Sequence, residues 1–172
     1  MEVNDVDRIL TEDDLIVLVT YSAKDEPDFM TCWQDEATQR GYNFVLPENA
    51  VGSIFGQIED YPFWVVAVEK CTGDKLGVLR LSPNEEPDLA IWVYPAHRGK
   101  GWGKRMYRLA LEYLFSDGYE TIYAGCFPYN TRSMRILEQN GFLRWPEGDT
   151  KEISILDGSE IIMLGYVCHR TA

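Results

Sequence analysis

Between His97 and Arg108 the chain carries Arg98, Lys100, Lys104, Arg105 and Arg108 and no acid, with Gly99, Gly101 and Gly103 spaced two apart. Alternate residues there are bare of side chains, so the backbone can turn sharply, take positive φ and let another molecule approach its N–H groups. A helical pattern begins at Trp102, and its unpaired N–H groups and positive dipole end point back at the loop, which suits a phosphate. In a chain of net charge -12, this local inversion points to an anionic ligand; a tight strand-to-helix turn without ligand is the plainer alternative. Two familiar phosphate loops do not fit. The P-loop spacing fails because Gly103-Lys104 is followed by Arg105, and the dinucleotide pattern G-x-G-x-x-G fails at Met106.

These residues need elements to hold them. Asp13 to Tyr21 reads as a first strand, and Glu26 to Gly41 as a helix with Pro27 in its first turn. Tyr42 to Pro62 reads as loop with a short helix near Asn49 to Gln57. Phe63 to Glu69 and Lys75 to Leu81 flank Thr72-Gly73-Asp74, a hairpin pattern. Leu89 to Tyr94 is the next strand, and Trp102 to Asp117 an amphipathic helix closed by Gly118. Thr121 to Phe127 is nearly all apolar, as in a strand buried on both faces. The order strand–helix–strand from Leu89 to Phe127 implies a parallel pair. Asn130 is a good N-cap for a second helix through Gln139, and Phe142 to Cys168 reads as two strands turning at Asp157-Gly158.

At 172 residues one domain, 1–172, is expected, and 45% hydrophobic content excludes a disordered tail. No apolar run reaches the ~20 residues of a membrane span, and the acidic start is no signal peptide. Cys32, Cys71, Cys126 and Cys168 lie far apart without C-x-x-C spacing, so neither a metal site nor a disulfide framework is indicated; a cytoplasmic location is expected. His97 and His169 lack ligand partners at metal spacing. The acidic balance argues against nucleic acid as a partner.

The pattern R-x-x-G-x-G (Arg98 to Gly103) follows V-x-P and precedes, some thirty residues later, N-x-x-S (Asn130, Ser133) and Asn140-Gly141-Phe142. On these motifs and the element order the chain resembles the GCN5-related N-acetyltransferase (GNAT) superfamily. Its ending looks like the branch of ribosomal-protein N-terminal acetyltransferases. The resemblance implies an α/β fold: a single mixed sheet of six to seven strands, mostly antiparallel with a central parallel pair, flanked by about four helices. It implies acetyl-CoA as co-substrate, no metal, and an amine-bearing acceptor, either a peptide N-terminus or a small molecule, in a monomer or homodimer. The amides of Gly99, Lys100, Gly101, Trp102, Gly103 and Lys104 would cradle the diphosphate, with Arg98, Lys100 and Lys104 adding charge. Ile91, Trp92 and Val93 would pair with the pantetheine arm through main-chain bonds, and Asn130 would touch it; Asn130 as a helix cap alone is the other reading. Arg132 or Arg135 are further candidates for the nucleotide phosphates.

Amine acetylation needs an unprotonated nucleophile, a stabilised oxyanion and a proton for the thiolate. Deprotonating a lysine-type amine at pH 7 costs about 4–5 kcal/mol and an α-amine only ~1 kcal/mol. Asp88 is the preferred base, with Glu85 and Glu86 as alternatives; all three merely solvating a turn is the other reading. Val93 N–H is the expected oxyanion donor. Many relatives carry a tyrosine seven residues after the asparagine, and this chain has Leu137 there. Ser133 is the candidate substitute beside the sulfur and Tyr129 a second one. Trp33, Tyr42, Phe44, Phe55, Tyr61, Phe63 and Trp64 either wall the acceptor site or form core. A non-catalytic acyl-CoA sensor is the alternative function.

Overall fold

The computed structural model describes residues 8–50 and 55–171. The Thr72-Gly73-Asp74 turn forms as the spacing predicts, with Gly73 at φ +78, and joins β3 (Phe63–Glu69) to β4 (Lys75–Leu81). On one side of this hairpin lie β2 (Ile16–Thr20) and β1 (Ile9–Glu12); on the other lies β5 (Leu89–Val93). All four pairings are antiparallel. Phe63, Val65 and Ala67 of β3 enter one core, while Trp64 and Val66 enter a second. Both faces of β3 are therefore buried, which explains its unbroken apolar run.

Helix α3 (Trp102–Ser116) covers the first face with the stripe Met106, Leu109, Ala110 and Leu114, all buried. Helices α1 (Glu26–Trp33) and α2 (Glu36–Tyr42) cover the second. The sequence reads as one helix here. It breaks because Asp35 leaves the helical region (ψ 128) and its carboxylate accepts from the Thr38 amide at 2.9 Å, starting a new helix.

Strand β6 (Thr121–Cys126) returns parallel to β5, but the two meet at a bridge between Asp88 and Tyr123, where Tyr123 N–H donates to Pro87 O at 2.9 Å. Beyond it β6 pairs with β9 (Glu160–His169), which also carries β7 (Leu143–Arg144) and β8 (Thr150–Ile153). Helix α4 (Thr131–Gln139) packs against α3 and β6. The α/β architecture, mostly antiparallel with a strand–helix–strand crossover and four helices, is as expected; its nine strands fall into a five-stranded and a four-stranded sheet that meet at that one bridge, where a single sheet of six or seven was expected. The extra ones are β1, a bulged partner of β2, and a third C-terminal strand. The predicted helix near 49–57 falls partly on 51–54, outside the described residues; a 3-10 turn forms at Ile58–Asp60.

At Gly77 a Cβ would lie 2.0 Å from Trp92 O. Gly77→Ala should therefore force β4 and β5 apart and cost about 3 kcal/mol. The urea midpoint checks this; an unchanged midpoint contradicts the close approach.

Candidate active site

Where β5 leaves β6, three cavities run end to end along the gap. The first, about 260 Å³, is lined by Val93, Gly99, Gly101, Gly103, Lys104 and Arg132. The second, about 330 Å³, shares Val93 and Arg132 with it and adds Thr38, Tyr42, Ile91 and Ser133. The third, about 220 Å³, shares Tyr42, Ile91, Asn130 and Ser133 and reaches Asp88, Tyr107 and Cys126. Together they form one trench from the glycine loop to the Asp88–Tyr123 bridge.

The loop offers bare amides. Arg105 N–H is the first to close a helical bond, to Gly101 O at 3.3 Å. Among the described residues the N–H groups of Gly99, Lys100, Gly101, Trp102, Gly103 and Lys104 have no partner, as expected of a helix start. The glycines differ in purpose. Gly99 and Gly101 take φ +74 and +84, whereas Gly103 is helical and would press a Cβ to 3.0 Å from Ile136 Cδ1 and 3.3 Å from Val93 Cγ2.

The loop's cations are less free than the sequence implied, because acids reach them from distant segments. Arg105 and Arg108 pair with Asp13 at 2.7 and 3.1 Å, and Arg105 also with Asp14. The Arg98 guanidinium bonds Asp35 and Thr38, each at 2.7 Å, and its Nε donates to Val93 O at 3.0 Å. Burial pushes the Asp35 carboxyl up, but the Arg98 and Thr38 bonds outweigh it and hold it below the usual carboxylate value. Arg98 is thus a strut between the loop, α2 and β5 and does not supply free charge to a phosphate. Lys100 turns back to Ala96 O at 3.1 Å on the outer side of the loop, lining a separate basic hollow. Lys104 borders both that hollow and the trench, and among the described residues neither lysine has an ion pair.

The edge of β5 corrects a second expectation. Ser82 N–H donates to Asp88 O and Tyr94 N–H to Leu76 O, both at 2.9 Å, so even-numbered residues of β5 bond to β4. Odd-numbered ones face the trench. The main chain of Trp92 therefore belongs to β4, and its ring is packed on Tyr42 (centroids 4.9 Å apart). Of the trench-facing groups, Leu89 O accepts from the Tyr107 hydroxyl, and Ile91 O accepts from the Tyr42 hydroxyl. Ile91 N–H donates to the same Tyr42 oxygen at 3.1 Å. Val93 O is taken by Arg98, so Val93 N–H is the open group. A ladder of arm bonds along Ile91-Trp92-Val93 is not on offer; one donor is.

Asp88 and Ser133 do come together, half-buried in the same cavity. The Asp88 carboxylate has no hydrogen-bond partner among the described residues; burial pushes it up to about 6, against the pull of Arg80. Glu85 and Glu86 stay exposed in the turn. Asn130 caps α4, accepting from Ser133 N–H at 3.2 Å, and also lines the second and third cavities. Tyr129 is turned away, donating to Arg40 O at 2.8 Å. Leu137 is buried in the core. Burial pushes the Cys126 thiol up to about 11, so it stays protonated. Trp33 and Trp64 are buried in the aromatic cluster, Phe63 packs on the opposite face against Tyr113, and Tyr42 alone of that set lines the trench. Sequence reasoning missed the capping hydroxyls of Tyr42 and Tyr107, since no local pattern marks a contact 49 residues away. No group of three or more His, Cys, Asp or Glu able to hold a metal occurs among the described residues, and no helix there is long and apolar enough to cross a membrane.

Residues 8–143 match the acetyltransferase (GNAT) domain, and the chain belongs to that family. Over 108 residues it is 27% identical to YwnH of Bacillus subtilis (strain 168), provisionally named a phosphinothricin acetyltransferase. That match spans 59% of this chain and 65% of the relative, just under two thirds of its length. The fold superposes on spermidine N-acetyltransferase from Vibrio cholerae, solved with CoA and spermine (TM-score 0.76, 14% identity, 91% of this chain and 96% of that one). It also superposes on ribosomal-protein-S5-alanine acetyltransferase from Vibrio fischeri (TM-score 0.71, 16% identity, 96% and 97% covered). At these identities the likenesses establish the fold.

Open space surrounds a Cβ placed on Gly101. Gly101→Val should therefore cost only the strain of positive φ, about 1–2 kcal/mol, yet raise the Kd for CoA at least tenfold by covering the loop amides. Calorimetry with a parallel thermal melt checks this; unchanged affinity contradicts the loop's role.

Proposed function

We propose that this chain transfers an acetyl group from acetyl-CoA to a primary amine by direct attack in a ternary complex. The observation that carries the reading is the continuity of the trench: open amides at one end, a carboxylate without a hydrogen-bond partner at the other. Acetyl-CoA, when bound, supplies an acyl group activated as a thioester. The chain's residues fit it. Gly99 to Lys104 present N–H donors to a diphosphate, with the charges of Lys104 and Arg132, neither ion-paired among the described residues, beside them. Val93 N–H takes a carbonyl of the arm.

Val93 lies five residues from Asp88, about 17 Å at 3.3 Å per residue. That is too far for one amide to face both the arm and a reacting centre served by Asp88. The reacting carbonyl belongs nearer Ile91, where the Ile91 N–H and the Tyr42 hydroxyl, bonded to the Tyr42 hydroxyl oxygen and to Ile91 O in the free chain, would have to give up those bonds to serve as oxyanion donors. Asp88, directly or through water, accepts the proton of the incoming amine. Ser133, half-buried in the same cavity, is placed to hydrogen-bond the departing sulfur.

The strength of the base bears on the acceptor. Moving a proton from an ammonium of pKa about 8 to a carboxylate at about 6 is uphill by about 3 kcal/mol; from one at about 10.4 it is uphill by about 6. An α-amine, such as a peptide N-terminus, is the better match. The core position of Leu137, which withholds a phenol from the sulfur, is the observation favouring a sensor that binds acyl-CoA without turnover. CoA-thiol release across a panel of amines separates the two: amine-dependent release supports the enzyme, and none from any amine favours the sensor.

Asp88 must be ionised to act, so kcat/KM should rise through pH 6 and level off above it. Asp88→Asn should lower kcat/KM about 100-fold or more. Its effect on stability runs the other way. Asp88 holds its proton up to about pH 6 when folded but only to about pH 3.9 when unfolded. Between these values the folded chain binds more protons, so stability falls as pH rises through the window. Asp88→Asn should therefore raise Tm at pH 7. Full turnover with no gain in Tm contradicts both assignments.

A further inference from the structure

Arg80 is a guanidinium without a carboxylate. Its Nη1 donates to Phe55 O at 2.7 Å, and among the described residues it makes no ion pair. It is held instead by rings: its carbon lies 4.2 Å from the centre of Tyr61, 4.9 Å from Trp64 and 5.4 Å from Trp92. A half-buried cation kept in an aromatic box is stabilised by the ring faces without being neutralised.

Strand register says what that cation faces. Arg80 stands opposite Ala90, and Leu81 opposite Leu89, in the β4–β5 ladder. Side chains alternate between faces, so Arg80 and Asp88 project from the same face as diagonal neighbours, about 7–8 Å apart at the backbone. The other groups around Asp88 carry no charge at neutral pH. Tyr42 from α2 and Tyr107 from α3 are phenols that burial pushes up, and Cys126 from β6 is a protonated thiol. Ser82, just past β4, bonds the Asp88 amide, and Met163 on β9 brings no titratable group.

We propose that Arg80 is the positioning residue for the base: boxed by aromatic rings one strand away, it lends its charge to the Asp88 carboxylate without bonding it. The separation is the functional point. A direct ion pair would tie up the carboxylate and weaken it as a proton acceptor. With no cation nearby, burial would hold more of the Asp88 carboxyl protonated near neutral pH. A charge held at a distance keeps the carboxylate ionised and its oxygens open to an amine. The inference rests on the reading of Asp88 as base.

The test is the pH profile of amine-dependent CoA release by the full chain, with wild type, Arg80→Gln, Arg80→Met and Arg80→Lys. Each variant is checked first for CoA binding, which uses the other end of the trench. The acid limb should move up by about one pH unit in Arg80→Gln and Arg80→Met. Arg80→Lys should bring it back to within a few tenths of a unit of wild type, and the plateau at high pH should stay within a few-fold. A limb that stays put in the neutral variants while the plateau drops makes Arg80 a packing residue and overturns the proposal. If neither neutral variant folds, a folded Arg80→Lys still tests the idea: a limb displaced by a full unit although the charge is kept overturns it. Wild type that releases no thiol with any amine at any pH sinks the transfer reading itself, an outcome distinct from a limb that ignores Arg80.

Discussion

The parting of two parallel strands governs this molecule. β5 and β6 touch at Asp88 and Tyr123 and then separate, because β6 takes β9 as its partner from Thr121 to Cys126. A sheet that stayed paired would have consumed every main-chain group along the seam. The split leaves a trench in the interior, bounded by α2 on one side and α4 on the other. It also places the loop that follows β5 at the trench mouth and Asp88 at its closed end.

An open edge is costly unless its polar groups find partners. Here side chains stand in for the absent strand: Tyr107 at Leu89, Tyr42 at Ile91, Arg98 at Val93. They come from α3, from α2 and from the loop itself, so the three surrounding elements are tied to the one strand that carries the chemistry. Against that background the unbonded amides of Gly99 to Lys104 and of Val93 stand out as a set. The same logic explains the aromatic face. Trp33, Tyr42 and Trp92 pack ring on ring, and Arg80 is enclosed by Tyr61, Trp64 and Trp92, with no ion pair to an acid among the described residues.

Much of this was legible from local pattern. The Gly73 turn, the crossover from Leu89 to Phe127, the Asn130 cap and the conformational demand on Gly99 and Gly101 all follow from residues a few positions apart. The break at Asp35 was written in the same grammar, as an aspartate three residues before Thr38, but the helical stripe across it was the stronger pattern. What stayed hidden acts over long separations. The basic loop looked unpaired because Asp13, Asp14 and Asp35 lie more than sixty residues upstream of the arginines they meet. Tyr42 was one aromatic in a list until the fold set its hydroxyl on Ile91. The placement of Asp88 in a cavity, and of Glu85 and Glu86 outside it, depends on where β5 begins to diverge, which no spacing encodes.

The account stands on the claim that the trench-facing amides are donors waiting for a ligand. Amide hydrogen exchange by NMR, with and without CoA, addresses this residue by residue. Gly99, Gly101, Gly103 and Val93 should exchange quickly in the free chain and become strongly protected on binding, while the already bonded Tyr94 amide changes little. Protection of these amides before any CoA is added, or no gain in protection after it, would contradict the account.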